Sequence, residues 1–289
     1  MEQAFLESLM DKAWPALERE DFDVENLDVE NLGLEDLNVE NLGLEDLGRG
    51  NAGEWVLRAS GGVTQRANSV WPRNSDGGPN GNQSITRAVR AAAEWYRLRR
   101  LPLIFQVFDD SRSSGLNAVL DEQRFTRQSA TRIMVRSMDE LPASSSGRNV
   151  ELADEPSEEW LHVWWSVDGR GGDAELSVAH KILTGCPALY AMVRDDDGAP
   201  AAVGRLALVD GWGGIYSMAT SAGHRRRGYG TEALTALLNA GAQRNLEGFW
   251  LLVTEANRGA QLLYSGAGFA DYGNYLYRQA PLRRASSGC

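Results

Sequence analysis

The sequence predicts a mixed α/β (α+β) chain in which one sheet-and-helix pattern occurs twice. Three observations carry this expectation. The two halves share the order strand, long helix, strand, short helix, strand. Superposing Phe125 on Phe269 sets Leu120 opposite Tyr264, as in a duplication whose copies have diverged. The run Asp195-Asp-Asp-Gly198 joins two apolar segments, which is an antiparallel hairpin signal, so each sheet is expected to be mixed and mostly antiparallel. At about 150 residues per domain, 289 residues suit two domains.

In chain order, Phe5, Leu6, Leu9, Met10, Ala13 and Trp14 share one side of a helix over 3–14 that Pro15 limits, and residues 1–19 are assigned to the first domain. A five-residue repeat follows, with Leu27, Leu32, Leu37, Leu42 and Leu47 in register. Five helical residues turn through about 500°, so these leucines drift by about 140° per step and form no apolar stripe. Residues 20–50 are therefore read as an acidic, mostly disordered insertion. The first domain continues over 51–137, with strands at 55–58 and 65–71 and a helix that Ser84 caps, bearing Ile85, Ala88, Val89, Ala92 and Trp95. A strand at 103–108, a short helix at 114–123 and a strand at 126–135 complete it. Residues 138–159, rich in serine and acidic residues, read as a linker. The second domain, 160–280, opens with two helical stripes, Trp160/Val163/Trp164/Val167 and Leu176/His180/Leu183. Strands at 188–194, 201–209 and 214–220 come next, then a helix at 231–245, a strand at 249–254, a short helix at 257–266 and a strand at 272–278, with a tail over 281–289.

Composition excludes several classes. The chain has 29 Lys+Arg against 40 Asp+Glu, a net charge of −11, which argues against nucleic acid as a partner. Residues 20–47 hold eleven acidic side chains and no Lys or Arg, so the remainder is neutral. No apolar run approaches the ~20 residues of a membrane span, and Glu2, Glu7 and Asp11 stand where a signal peptide carries positive charge, so a cytoplasmic protein with no membrane partner is expected. Cys186 and Cys289 are too few for a disulfide framework or a cysteine zinc site. His162, His180 and His224 lack metal-ligand spacing, so no metal is expected.

The chemistry concentrates between strand 214–220 and the helix after it, in Arg225-Arg226-Arg227-Gly228-Tyr229-Gly230-Thr231. Glycines there let backbone approach a phosphate, the first-turn N–H groups and the helix dipole favour an anion, and three arginines add charge-assisted donors. A nucleotide P-loop fits poorly, because position 229 is Tyr where that loop needs Lys. Arg225, Gly228 and Gly230 match the Arg/Gln-x-x-Gly-x-Gly/Ala loop, and Val253-x-x-x-Asn257-x-x-Ala260-x-x-Leu263-Tyr264-x-x-x-Gly268-Phe269 matches the second signature, of the GNAT N-acetyltransferase superfamily. The chain thus resembles a tandem GNAT acetyltransferase of the actinobacterial type. Its first domain departs from the motif, with Arg73-Asn-Ser-Asp-Gly-Gly-Pro79 in place of the loop, and the acidic repeat is foreign to the family pattern.

The resemblance implies acetyl-CoA as co-substrate, held by Arg225 to Thr231, by the backbone of Met218, Ala219 and Thr220, and by Asn257, which equally suits a helix N-cap. It implies direct attack by a primary amine, with Tyr264 as general acid toward the departing CoA thiolate. An unperturbed tyrosine is ~1.5 pKa units above a thiol, so Tyr264 must either hydrogen-bond to the sulfur or have its pKa lowered by the site. Glu255 is a candidate base. Trp212, Tyr216, Tyr272, Tyr275 and Tyr277 are read as core or as the lining of an acceptor pocket. The acceptor, a small amine, an amino sugar or a basic protein's lysine or N-terminus, has no sequence signature, and neither has the oligomeric state. The alternative function is a non-catalytic acyl-CoA-binding sensor or scaffold.

Overall fold

The structure is a computed structural model that describes residues 1–23, 54–73, 81–138 and 150–281. The acidic repeat beyond Asp23, much of the loop at 73–79, the stretch 139–149 and nearly all of the tail lie outside the described residues. The chain divides into two compact units, one of residues 1–15 with 131–273 and the other of residues 16–130 with 274–289.

In the first of these, β5 (Thr126–Ser137, from Thr131 on), β10 (Gly248–Thr254), β9 (Trp212–Thr220), β8 (Pro200–Val209), β7 (Ala188–Arg194) and β6 (Val150–Ala153) lie side by side in that order. All neighbours are antiparallel except β9 and β10, which α6 (Tyr229–Gln243) connects. Alternation along the strands sorts the side chains to two covered faces. Leu189, Ala191 and Val193 of β7 join Leu234, Leu237 and Leu238 of α6 in one core, with Phe249, Leu251 and Phe269. On the opposite face Trp160, from α4 (Glu158–Asp168), stands edge-on to Tyr190 at 5.1 Å and donates its indole N–H to Ala191 O at 3.0 Å. The sequence starts α4 clearly: Ser157 Oγ accepts from Trp160 N at 3.2 Å, and Glu158 and Glu159 face the positive end of the helix dipole.

The helix expected with the first domain, α1 (Gln3–Ala13), instead packs in this unit. Trp14 behind it stacks on Tyr216 at 5.6 Å, and fully buried Arg205 donates to Ala13 O at 3.0 Å, a cation at the negative end of the α1 dipole.

The other unit pairs β1 (Glu18–Asp23), β2 (Glu54–Ala59) and β3 (Trp71–Pro72) antiparallel, and β4 (Ile104–Phe108) with the end of β11 (Ala270–Gln279). Val70 bridges to Phe105 in parallel. Its core sets Ile85, Ala88, Val89, Ala92 and Trp95 of α2 (Gly81–Leu98) against Trp55, Leu57, Phe105 and Val107, with Leu116, Val119 and Leu120 of α3 (Ser114–Glu122) closing it.

Further expectations are corrected here. Residues 20–23 are not insertion but the end of β1, whose alternation pairs with β2. The supposed linker 138–159 holds β6 and the start of α4, because Val150-Glu-Leu-Ala153 finds a partner strand in β7. Of the expected strand 65–71 only Val70 and Trp71 pair, since Gly61, Gly62 and Thr64 take positive φ and turn the chain, and Asn68 Nδ2 ties the turn to the Val63 and Thr64 carbonyls. Ser84 is a buried residue inside α2, which starts at Gly81. The boundaries at 137 and 280 also move: the last strand of each half contributes to the unit built mainly from the other half.

Candidate active site

The site grows from the one parallel pair. The β9–β10 ladder runs from Trp212↔Gly248 to Ile215↔Leu251, although β9 continues to Thr220 and β10 to Thr254. The outer edges stay paired over that stretch, β9 with β8 to Thr220↔Ala202 and β10 with β5 to Thr254↔Thr131. The edges that face one another beyond Ile215 and Leu251 therefore diverge, and among the described residues Met218, Ala219 and Thr220 have no ladder partner on the β10 side. A bulge explains the bend. Val203 pairs with Ala219 and Arg205 with Tyr216, so β9 carries one residue more than β8, and Ser217 takes φ +52. Ser217 Oγ is buried and makes no hydrogen bond among the described residues. Met218 turns its side chain inward against Gly204.

The arginine loop follows β9. A 3-10 turn at Ala222–His224 leads to Arg225, then Arg226 at φ +58 and Gly228 at φ +88, the N-cap of α6. Arg225 donates Nε to Thr220 O at 3.3 Å, and Arg227 lies 5.6 Å over the ring of buried Tyr229. The arginines are exposed. The α6 ladder begins with Glu232 N donating to Gly228 O at 3.0 Å, so the amides up to Thr231 have no carbonyl one turn earlier within the helix. At Gly230 a Cβ would stand 3.2 Å from Thr220 Oγ1 and 3.9 Å from Leu263, so the end of β9, the start of α6 and the α7 helix (Arg258–Gly266) meet at this residue.

Asn257 caps α7, its Oδ1 accepting from Ala260 N at 3.1 Å. Gln261 holds the strand end, donating to Thr254 O and Glu255 O at 2.9 Å each, and the Glu255 side chain is exposed. Tyr264 is buried against Phe269 at 6.2 Å. Burial pushes its hydroxyl well above the ordinary tyrosine range, and the charge of Asp168 pushes the same way. Of the two roles the sequence left open for Tyr264, a pKa lowered by the site is the one this direction disfavours. Asp168, which sequence reasoning passed over, ends α4, and desolvation raises its pKa against the opposing Trp164 and Arg170. Only its place at the end of an aromatic helical stripe hinted at it.

The aromatic candidates serve packing. Tyr216 stacks on Trp14 and its hydroxyl accepts from Trp250 Nε1 at 3.1 Å, Trp212 donates to Glu247 at 3.1 Å, and Tyr272 donates to Met1 O at 2.8 Å. Tyr275 and Tyr277 are buried in the other unit.

The residues present suit a CoA thioester: diverging strand edges, a buried hydroxyl with no hydrogen bond among the described residues, a basic loop on a helix N-terminus, and a glycine where β9, α6 and α7 meet. Among the described residues no helix is long and apolar enough to cross a membrane.

Comparison with known proteins agrees with this geometry. An N-acetyltransferase named YobR, of uncharacterised function, from Bacillus subtilis is 27% identical over 231 residues, covering 78% of this chain and 90% of the relative. A GCN5-related N-acetyltransferase from Sphaerobacter thermophilus shares the fold at TM-score 0.62 and 15% identity, over 90% of this chain and 92% of its own. A tandem GNAT protein from the clavulanic acid biosynthesis pathway superposes at TM-score 0.58 and 14% identity, over 92% and 100%. The sequence profile of the family described as "Probable histone acetyltransferase Rv0428c C-terminal" matches residues 48–278. That match spans most of the chain, which therefore belongs to this family of acetyltransferases, within the GNAT superfamily.

Proposed function

We propose that the protein transfers an acetyl group from acetyl-CoA to a primary amine by direct attack, in the unit that holds α6. The observation that carries this reading is the divergence of β9 from β10 at the Ser217 bulge, with the arginine loop at one side and buried Tyr264 nearby. When bound, acetyl-CoA supplies the activated acyl thioester. Arg225, Arg226, Arg227 and the backbone of Gly228 to Thr231 bind its phosphates, and the β9 edge at Met218 to Thr220 orients the thioester arm. Asn257 spends its oxygen on the α7 cap and keeps its amide N–H groups for the ligand. Tyr264 donates a hydrogen bond where negative charge builds on sulfur.

Asp168 and Glu255 are the two carboxylates that can relieve an attacking ammonium of its proton. Asp168 is the one whose charge is felt at the Tyr264 hydroxyl. A lysine-rich protein is the acceptor that the eleven carboxylates of residues 20–47 favour, by long-range attraction that salt suppresses. Thiol release from acetyl-CoA with a small amine and a basic peptide, at low and high salt, tests both levels. Release that Tyr264→Phe slows by orders of magnitude, with the basic peptide preferred only at low salt, is the expected result. CoA binding without release for any amine would establish the sensor reading instead.

A further inference from the structure

His224 lies one residue before the arginine loop, and both its ring nitrogens are engaged. Nδ1 stands 2.8 Å from Ser221 Oγ and Nε2 stands 2.9 Å from Asp195 Oδ2. Asp195 belongs to the turn between β7 and β8, and its other oxygen accepts from Asp197 N at 3.0 Å and Ala199 N at 2.8 Å, so the carboxylate is fixed before His224 meets it. Ser221 in turn lies 3.1 Å from Ala201 O through its hydroxyl and donates its N–H to the same carbonyl at 3.0 Å. The residues facing His224 are Asp195 from the hairpin, Ser221 from its own turn, and Tyr229 from α6, whose ring is edge-on at 5.3 Å. The charged groups next in the chain are Arg225, Arg226 and Arg227 on the loop and Asp196 and Asp197 on the hairpin.

Counting protons decides the state that this network prefers. Ser221 has one hydroxyl proton, and Ala201 O can only accept it. Nδ1 must then donate to Ser221 Oγ, while Nε2 donates to the Asp195 carboxylate. All three bonds coexist only when the imidazole carries both protons. A neutral His224 that keeps its bond to Asp195 forces Ser221 to donate to Nδ1 and release Ala201 O. The hydrogen bond from His224 also holds the Asp195 carboxyl below the usual carboxylate range.

We propose that His224 is a positioning residue, a protonation-dependent clasp that fastens the start of the arginine loop to the β7–β8 hairpin and so makes the loop's affinity for a diphosphate-bearing nucleotide pH-sensitive. The proposal rests on the acetyl-CoA reading of that loop. The charged clasp holds the turn Ala222–His224 against the hairpin, and the backbone at Arg226 and Gly228 inherits its direction from that turn. Deprotonation removes one anchoring hydrogen bond and one positive charge beside the anion. Each change weakens binding, so affinity falls as pH rises.

The test is the calorimetric dissociation constant of CoA from about pH 5 to about pH 8. CoA's own phosphates titrate in this window, so the reading is the difference between wild type and His224→Gln. Wild type should lose about fivefold more affinity across the window than the variant, the worth of roughly one hydrogen bond. Asp195→Asn, a change on the other side of the clasp, should flatten the profile in the same way. By linkage, CoA should move the pH at which the His224 imidazole resonances of the wild-type protein titrate upward. Parallel profiles for wild type and variants, or an imidazole titration that CoA leaves in place, overturn the proposal. Arg225→Ala with Arg227→Ala separates the two claims: if that pair binds CoA as wild type does, the loop is not the CoA site and the underlying reading fails, whatever His224 does.

Discussion

The short helix before each final strand occupies the same niche in both units, and one side chain separates them. Leu120 on α3 is 0% exposed and Tyr264 on α7 is 7% exposed, each closing a core with a phenylalanine five residues on. The niche is apolar in both, so a leucine is sufficient for packing and a phenol adds only its hydroxyl, at the cost of desolvating it. The arginines differ in the same sense. Arg73 is spent on packing, 4.3 Å over the Trp71 ring, whereas Arg225 to Arg227 stay exposed on a helix N-terminus. One unit keeps polar groups that its fold does not need, and the other has turned the matching positions into structure.

The sharpest break of this comparison is a pair of substitutions. Tyr264→Phe removes the hydroxyl and keeps the ring, so we expect kcat for acetyl transfer to fall by about 10² to about 10⁴ while the melting temperature stays near wild type. Leu120→Ala should do the reverse, costing about 2–5 kcal/mol of stability for a buried leucine with the rate per folded molecule preserved. Denaturant titration and steady-state kinetics on both variants check this. Comparable activity losses in the two would show that the niche acts through packing alone.

The loops give the next effect in size. Arg225→Ala with Arg227→Ala should weaken CoA binding by about tenfold to about a hundredfold, through lost charge-assisted contacts. Arg73→Ala should leave affinity unchanged, and a single class of site should appear by calorimetry. Two equivalent sites, or an affinity that depends on Arg73, would place ligand binding in both units.

How much of this was legible beforehand follows from the range of each interaction. The hairpin at Asp195–Gly198, the stripe of α2 and the Arg225–Thr231 loop are written in neighbouring residues, and they appear where expected. The Asn257 cap, one of the two roles open to that residue, followed from the same local pattern. What failed was long-range. Nothing near Phe5 or Leu9 says that α1 packs with residues 131–273, because an amphipathic face does not name its partner. Strand β6 is short, and its outward residues are exposed, so its composition looks like linker until β7 supplies the ladder. The bulge at Ser217 is invisible because an extra residue in β9 matters only against the count in β8. The clasp at His224 needs Asp195, which lies on another hairpin.

The smallest effect comes from the exchanged strands, each of which carries an inward arginine onto the end of a short helix. Arg136 donates to Ala267 O behind α7, and Arg278 donates to Phe125 O at 3.2 Å, to Asn117 Oδ1 at 2.8 Å and to Asp121 on α3. A carbonyl does not titrate and a carboxylate does, so the two ends should part company in acid. The hydrogen bond from Arg278 is the first cause holding the Asp121 carboxyl below its ordinary value of 3.8, and Arg127 adds to it. A depressed folded-state pKa contributes stability that is fully present above the unfolded value and drains away as pH falls through the folded one. Wild type should therefore lose melting temperature more steeply than Asp121→Asn on going from about pH 5 to about pH 2.5. Arg278→Leu should share the shallower slope of Asp121→Asn, and Arg136→Leu, although less stable at neutral pH, should keep the wild-type slope. An acid slope in Asp121→Asn equal to that of wild type would mean that the carboxylate does not hold Arg278 in solution, and the carbonyl of Phe125 would then be the contact that keeps this arginine in place.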